Sequence, residues 1–320
     1  MVKEEFTFKS SDGINDIHAV AWLPDKDKIS SPKAVIQISH GMIEYIERYE
    51  VMAEFFTDRG FVVTGNDHLG HGRSVKNEDE WGYFAKKNGS ECVVDDLHML
   101  TTITKEKYPD IPYFLIGHSM GSFMARRYLM TYGSELDGAV ILGTGNQPRV
   151  LVAATLASSK LVAALRGDHY RSKFITKLIF GAYNIRIKNP KTANDWICAD
   201  ENVVAKYNAD PACTFLFTVN GIQVLMQTLM FIESKKNIDR IPKKLPVMLA
   251  SGMEDPVGNY GKAVRKVYDI WSKAGMEDLT IALFEGCRHE LHNEAIKENL
   301  YEEIYQWILE HKSSSERGLR

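Results

Sequence analysis

The chain has 320 residues, 44% of them apolar and 25% charged, with a net charge of −3. That is enough for one large α/β domain or two small ones, and the charge balance gives no support for nucleic-acid binding. The N-terminus MVKEEFTFKS lacks an apolar h-region, and the longest apolar stretch, 150–165, is broken by Ser158, Ser159 and Lys160, so neither a secretory leader nor a bilayer span is expected. The four cysteines (Cys92, Cys198, Cys213, Cys287) show no C-x-x-C spacing and read as reduced thiols of a cytoplasmic protein, a Cys198–Cys213 bridge being the weaker alternative.

In chain order, 4–10 and 16–23 read as strands joined by the Ser11-Asp12-Gly13 turn. A charged loop, 24–33, leads to 34–39, a β-branched run of the kind buried inside a sheet. Helical periodicity over 48–59 ends at Gly60, a strand follows at 61–65, and 66–74 is a loop rich in glycine and histidine. A helix is expected over 92–107, closed by Pro109. The stretch 113–132, YFLIGHSMGSFMARRYLMTY, then reads as strand, abrupt turn and helix with Ser119 at the apex. In such a G-x-S-x-G elbow the glycines leave room where helix and strand pack closely, and the hydroxyl stands at a helix N-terminus. The alternative is a glycine-rich turn with an incidental capping serine. A strand at 138–143 completes a repeated alternation that predicts a mostly parallel, doubly wound sheet.

The rhythm breaks from Thr144 to about Pro242, where helical patterns appear without a convincing buried strand. It resumes with a strand at 245–250, a helix at 261–273, a strand at 279–284 and a last helix at 290–312. A polar tail, 313–320, is expected to fray. An insertion of this length between two strands reads as a cap, residues 145–242, on a core formed by 1–144 and 243–320.

A serine hydroxyl needs a base, and the base needs an orienting group. In an open α/β sheet these gather beyond the carboxyl ends of strands. Downstream of Ser119, Asp255 follows one strand in SGMEDPVGN and His289 follows the next in FEGCRHELHNE. The order Ser, Asp, His is that of the α/β-hydrolase fold. Glu254 is the alternative acid; Asp255 is preferred because it precedes Pro256 at a turn. His292 is expected on the first turn of the last helix, at the surface or behind the site. His118 is expected to point away from Ser119, and His68 and His71 to brace their loop rather than bind metal. An oxyanion calls for N–H donors: Met120, after the nucleophile, and Met42, in the His40-Gly41-Met42 loop after the early strand.

These blocks carry a family resemblance. SHGMIEYIERY (39–49), NDHLGHGRS (66–74), IGHSMGS (116–122), GMEDPVGN (252–259) and GCRHE (286–290) resemble, in order, the motifs of the monoacylglycerol lipase and lysophospholipase group of serine α/β-hydrolases. DWICADENVVAKYNADP (195–211) resembles that group's segment between cap and core. The resemblance implies an eight-stranded, mostly parallel sheet with an antiparallel N-terminal strand and a helical cap. It implies a triad of Ser119, Asp255 and His289, with Met42 and Met120 lending N–H groups, and cofactor-free ester hydrolysis through an acyl-enzyme. Two positions depart from the group: Tyr45 stands where histidine is frequent, and Ser122 where a second glycine is usual.

Within the cap, 150–165 could line an acyl pocket or rest on lipid. Seven basic residues (Arg166, Arg171, Lys173, Lys177, Arg186, Lys188, Lys191) face one acid, Asp168, over 166–191, interleaved with Phe174, Leu178, Ile179 and Phe180. They read either as a solvated basic face or as a transient contact with a membrane surface. Met226, Leu229, Met230 and Phe231 are ambiguous between packing and acyl contact. The leading expectation is a lipid monoester substrate. The runners-up are a short-chain esterase and an aminopeptidase, for which Asp200, Glu201 and Glu233 could hold the amine. A binding protein on a hydrolase scaffold is disfavoured because no triad member is missing. No nucleotide cofactor is expected, since no G-x-G-x-x-G follows the first parallel strand.

Overall fold

The computed structural model describes residues 1–25 and 31–316, with side chains described through 312. Eight strands form one sheet in the order β1-β2-β4-β3-β5-β6-β7-β8. β1 (Val2–Lys9) and β2 (Asp16–Leu23) make the expected antiparallel hairpin, and β2 also runs antiparallel to β4 (Val62–Asn66). β3 (Val35–Ser39), β5 (Tyr113–His118), β6 (Gly138–Leu142), β7 (Val247–Gly252) and β8 (Leu279–Phe284) complete a parallel body with β4. Within the expected loop 24–33, residues 26–30 lie outside the described residues, as do 317–320 of the expected frayed tail.

The central strand shows how the pattern becomes layers. Side chains alternate across a strand, and β5 is buried on both faces. Tyr113 and Leu115 join the core shared with helices α2 (Gly89–Lys107) and α3 (Met120–Tyr132). Phe114 and Ile116 join the opposite core with Met52 and Phe56 of α1 (Glu50–Thr57) and Ile304 and Trp307 of the last helix. Each such large side chain contributes about 1.5–3 kcal/mol by leaving water, so β5 is fixed from both sides just before Ser119.

Between β6 and β7 lie helices α4 (Arg149–Arg166), α5 (Lys173–Phe180), α6 (Glu201–Ala209), α7 (Val219–Ile232) and α8 (Lys235–Ile238), with no strand among the described residues. Helix α9 (Lys262–Lys273) connects β7 to β8. The final helix, α10 (Lys297–Glu316), begins later than the sequence suggests. Residues Leu291–Asn293 form a separate 3-10 turn, because Glu290 N–H donates to Ile197 C=O (2.7 Å) and anchors this stretch to the insertion. Helical backbone runs through Glu316, past the start of the expected frayed tail. All four cysteines are buried and free, so the Cys198–Cys213 bridge is not made. Among the described residues no helix is long and apolar enough to cross a membrane.

Candidate active site

The turn from β5 into α3 puts Ser119 at φ 53°, ψ −121°. This is a backbone position that non-glycine residues seldom occupy and that costs on the order of 1–3 kcal/mol. The surroundings hold it there. Ser119 N–H donates to Leu142 C=O of β6 (3.0 Å), and its own C=O accepts from Ser122 N–H (2.9 Å) and Ser122 Oγ (2.5 Å). Ser122, one of the two departures from the family pattern, is thus a clamp on the elbow. A Cβ on Gly121 would meet the carbonyl oxygen of Ser39 at 2.0 Å, so only glycine lets α3 press onto the end of β3.

The loop after β3 reaches the same point. A Cβ on Gly41 would lie 3.1 Å from Ser119 Cβ. Gly41 is held at both ends: its N–H donates to Glu44 Oε1 (2.5 Å), and its C=O accepts from His40 Nδ1 (2.8 Å). Because the peptide is planar and trans, fixing the Gly41 C=O also fixes the Met42 N–H, which points the opposite way. Neither the Met42 nor the Met120 N–H has an acceptor within the chain among the described residues. His40 Nε2 in turn accepts from His68 N–H (2.9 Å), and burial lowers the His68 and His71 imidazoles to about 3 and about 4. Both are neutral loop braces: His71 is enclosed by Phe84, Phe215 and Phe217.

His289 and Asp255 meet beyond β8 and β7. Asp255 is fully buried; its Oδ1 accepts from Val257 N–H (2.8 Å) and its Oδ2 from Ser251 Oγ (3.2 Å). His289 Nδ1 lies 3.0 Å from Asp255 Oδ1, at ion-pair distance but out of line for a well-formed hydrogen bond. Burial alone would lower the His289 pKa, yet Asp255 together with Glu290 and Glu44 outweighs it and the net shift is upward. Glu254 turns outward, half-exposed and 3.9 Å from Arg288 Nε. Ser119 and His289 line one cavity, but His289 Nε2 makes no hydrogen bond, to Ser119 Oγ or to any other group. Such links are often loose without substrate.

That cavity is about 830 Å³. Its floor includes Met42, Ser119 and His289, and the insertion supplies apolar walls such as Val152, Ile179, Phe215 and Leu229. Tyr45, the other departure, donates its hydroxyl to Asp210 Oδ2 (2.8 Å) and ties the β3 loop to the insertion.

Behind His289 lies a buried polar cluster that no motif announced. Arg48 bonds both oxygens of Glu290 (2.8 Å each) and Glu44 Oε2 (2.7 Å). Tyr49 donates to Glu44 Oε1 (2.8 Å), and His118 Nδ1 sits 2.9 Å from the Tyr49 hydroxyl. Burial would raise both glutamates, but His118 and Arg48 hold Glu44, and Arg48 holds Glu290, below the usual range. His292, expected at the surface or behind the site, is buried and stacked on Tyr49 at 4.5 Å; burial and His118 bring it down to about 3. Glu44, His118 and His292 are the sole trio with metal-ligand potential among the described residues. Arg48 already fills the positive role there: Glu44 and His118 belong to the hydrogen-bonded network, while His292, whose ring nitrogens make no hydrogen bond, packs against it.

The chain superposes on a highly thermostable carboxyl esterase from Bacillus coagulans, in complex with glycerol, with a TM-score of 0.89 at 31% identity, covering 98% of this chain and 99% of that one. It is 26% identical over 312 residues to a monoacylglycerol lipase of Mycolicibacterium smegmatis, covering 97% of this chain and 98% of the relative. It is also 26% identical over 298 residues to the monoglyceride lipase of Homo sapiens, covering 90% and 84%. Fold and relatives together define a serine α/β-hydrolase that acts as a carboxylic ester hydrolase. The chain belongs to the Hydrolase_4 family, described as serine aminopeptidase, S33, which matches residues 30–296, and within it to the monoacylglycerol lipase group that the motifs resemble.

Proposed function

We propose that the chain hydrolyses lipid monoesters, monoacylglycerols first among them, with Ser119 as nucleophile, His289 as general base and acid, and Asp255 orienting the imidazole. The observation that carries this reading is the apolar cavity that Ser119 and His289 share, with the buried Asp255 3.0 Å behind the imidazole. Ser119 Oγ attacks the ester carbonyl as its proton passes to His289 Nε2. The Met42 and Met120 N–H groups receive the oxyanion. Collapse breaks the ester C–O bond, and His289 returns the proton to the departing glycerol oxygen. Water, deprotonated by His289, then attacks the acyl-Ser119 carbonyl and frees the fatty acid.

The family description and the relatives' names point to different substrates. An aminopeptidase needs an unpaired carboxylate near the serine to hold the free amine. The acids on the cavity are Glu44 and Glu290, both held by Arg48. Asp200 and Glu201 are exposed, and Glu233 accepts from Gln147 N–H (2.9 Å). The lipid reading is therefore preferred.

Residues 145–242 serve as a cap on a core formed by 1–144 and 243–320. The cap's outer face supports contact with lipid: Val150, Leu161, Leu165 and Phe174 are 63–83% exposed among Arg166, Lys173 and Lys177. Intact-mass spectrometry after rapid mixing with a slowly hydrolysed acyl ester tests the chemistry. A mass increase by one acyl group, mapped to Ser119, is expected; an adduct elsewhere, or turnover without an adduct in the Ser119→Ala protein, contradicts it.

A further inference from the structure

A second cavity of about 500 Å³ opens beside the first, with Tyr183 lining both. Arg186, Lys188, Arg288, Glu254 and Tyr260 are among its walls, so three cations face one carboxylate. The cations are poorly matched from within. Arg186 and Lys188 make no ion pair or side-chain hydrogen bond among the described residues. Arg288 gives Nη1 to the carbonyls of Asp195 (2.8 Å) and Cys198 (2.9 Å), while its buried Nε has no hydrogen bond and only a 3.9 Å approach from Glu254.

The backbone here is held in a costly shape. Asn259, Tyr260 and Gly261 take φ values of 47°, 57° and 81° in succession. An aromatic residue seldom occupies that left-handed region. The strain sets Tyr260 in the cavity wall, where the Arg186 guanidinium stacks 3.7 Å from its ring centroid. Stacking leaves the planar edge of N–H donors free, the geometry that suits an oxyanion. Tyr260 N–H donates to Asp255 C=O (2.8 Å), so the loop that fixes the proposed triad acid also builds this wall. From His289 the path is short: its ring lies 5.0 Å from Trp196, whose ring lies 4.8 Å from Tyr183.

We propose that this cavity is an oxyanion subsite for a phosphate group, placed to receive the head-group phosphate of a lysophospholipid whose acyl chain occupies the larger cavity. The head-group assignment rests on the lipid-ester reading; the binding of phosphate does not. The test has two arms, run in physiological salt so that loose surface attraction is screened. Calorimetric titration with inorganic phosphate is expected to give saturable binding to the wild-type protein and none to an Arg186→Gln, Lys188→Gln double variant. The ratio of kcat/KM for lysophosphatidate to that for the monoacylglycerol of the same chain is expected to fall at least tenfold in the variant. Phosphate binding with an unchanged ratio keeps the subsite and assigns it to free phosphate. Phosphate binding by a protein that cleaves neither lipid keeps the subsite and removes the lipid-ester reading. No phosphate binding and an unchanged ratio overturn the subsite while leaving the esterase intact.

Discussion

Helices α3 and α4 are both apolar and both border the same cavity, yet they are used in opposite ways. In α3 every residue from Met120 through Met130 is buried. In α4 only Val152, Thr155 and Ser159 are, while Val150 and Leu165 are 83% and 74% exposed. The first helix is locked just past Ser119, by Gly121 against β3 and by Ser122 against the elbow carbonyl, as the proposed nucleophile would require, since such a group must be placed to within a fraction of an ångström. The second has apolar side chains with no protein to cover them. Such exposed apolar surface is what the proposed lipid contact would cover. Tight packing sits at the sheet, and exposed apolar surface on the insertion.

The sharpest way to break that contrast is at its rigid pole. Ser119→Ala should lower kcat by about 10⁴-fold or more with an unchanged melting temperature, and His289→Ala should fall to a similar residue of activity, because the members act as a unit. Steady-state kinetics beside thermal melts check both. Next, Gly121→Ala forces a methyl group to 2.0 Å from the Ser39 carbonyl oxygen. A loss of about 3 kcal/mol or more in denaturant unfolding is expected, and a neutral result would deny the tight elbow.

A third effect is a pH limb. In the proposed mechanism His289 must be neutral to take the serine proton; burial lowers its pKa, but Asp255 with Glu290 and Glu44 raises it above the ordinary 6.5. As pH falls through that raised pKa the imidazole protonates, so kcat/KM should drop tenfold per unit on a limb centred above 6.5. Asp255→Asn should move the limb downward, and Glu254→Gln should not move it. The smallest effect belongs to the exposed apolar surface of the insertion. Phe174→Asp, at a side chain 77% exposed, should weaken partitioning onto anionic vesicles by about three- to tenfold. Cleavage of a short soluble ester should be unchanged, which centrifugation and a chromogenic assay would read together.

Much of this was legible in the sequence, for reasons that differ by residue. The strand-to-helix apex at Ser119 was readable from the glycines such a turn requires, and the placement of Asp255 and His289 from their position just past buried strands, while their proposed roles wait on the kinetics above. The parallel sheet was readable because strands buried on both faces become continuous apolar runs such as 113–116. The Arg48–Glu290 pair was not readable: its partners are 242 positions apart and carry no periodicity. His292 was expected on a helix because the polar segment around it resembles a first turn. The break comes from Glu290 bonding across to Ile197, a tertiary contact that outweighs local preference. The second cavity was hidden for the same reason, since Arg186, Tyr260 and Arg288 come together only in three dimensions.

The measurement that tests the central claim most directly is fatty-acid release from a chain-length series of monoacylglycerols by the wild-type and Ser119→Ala proteins. The account predicts release that depends on chain length, as a cavity of about 830 Å³ would impose, and no release by the variant. Undiminished release by Ser119→Ala, or cleavage of short activated esters with none of the lipid series, would contradict it.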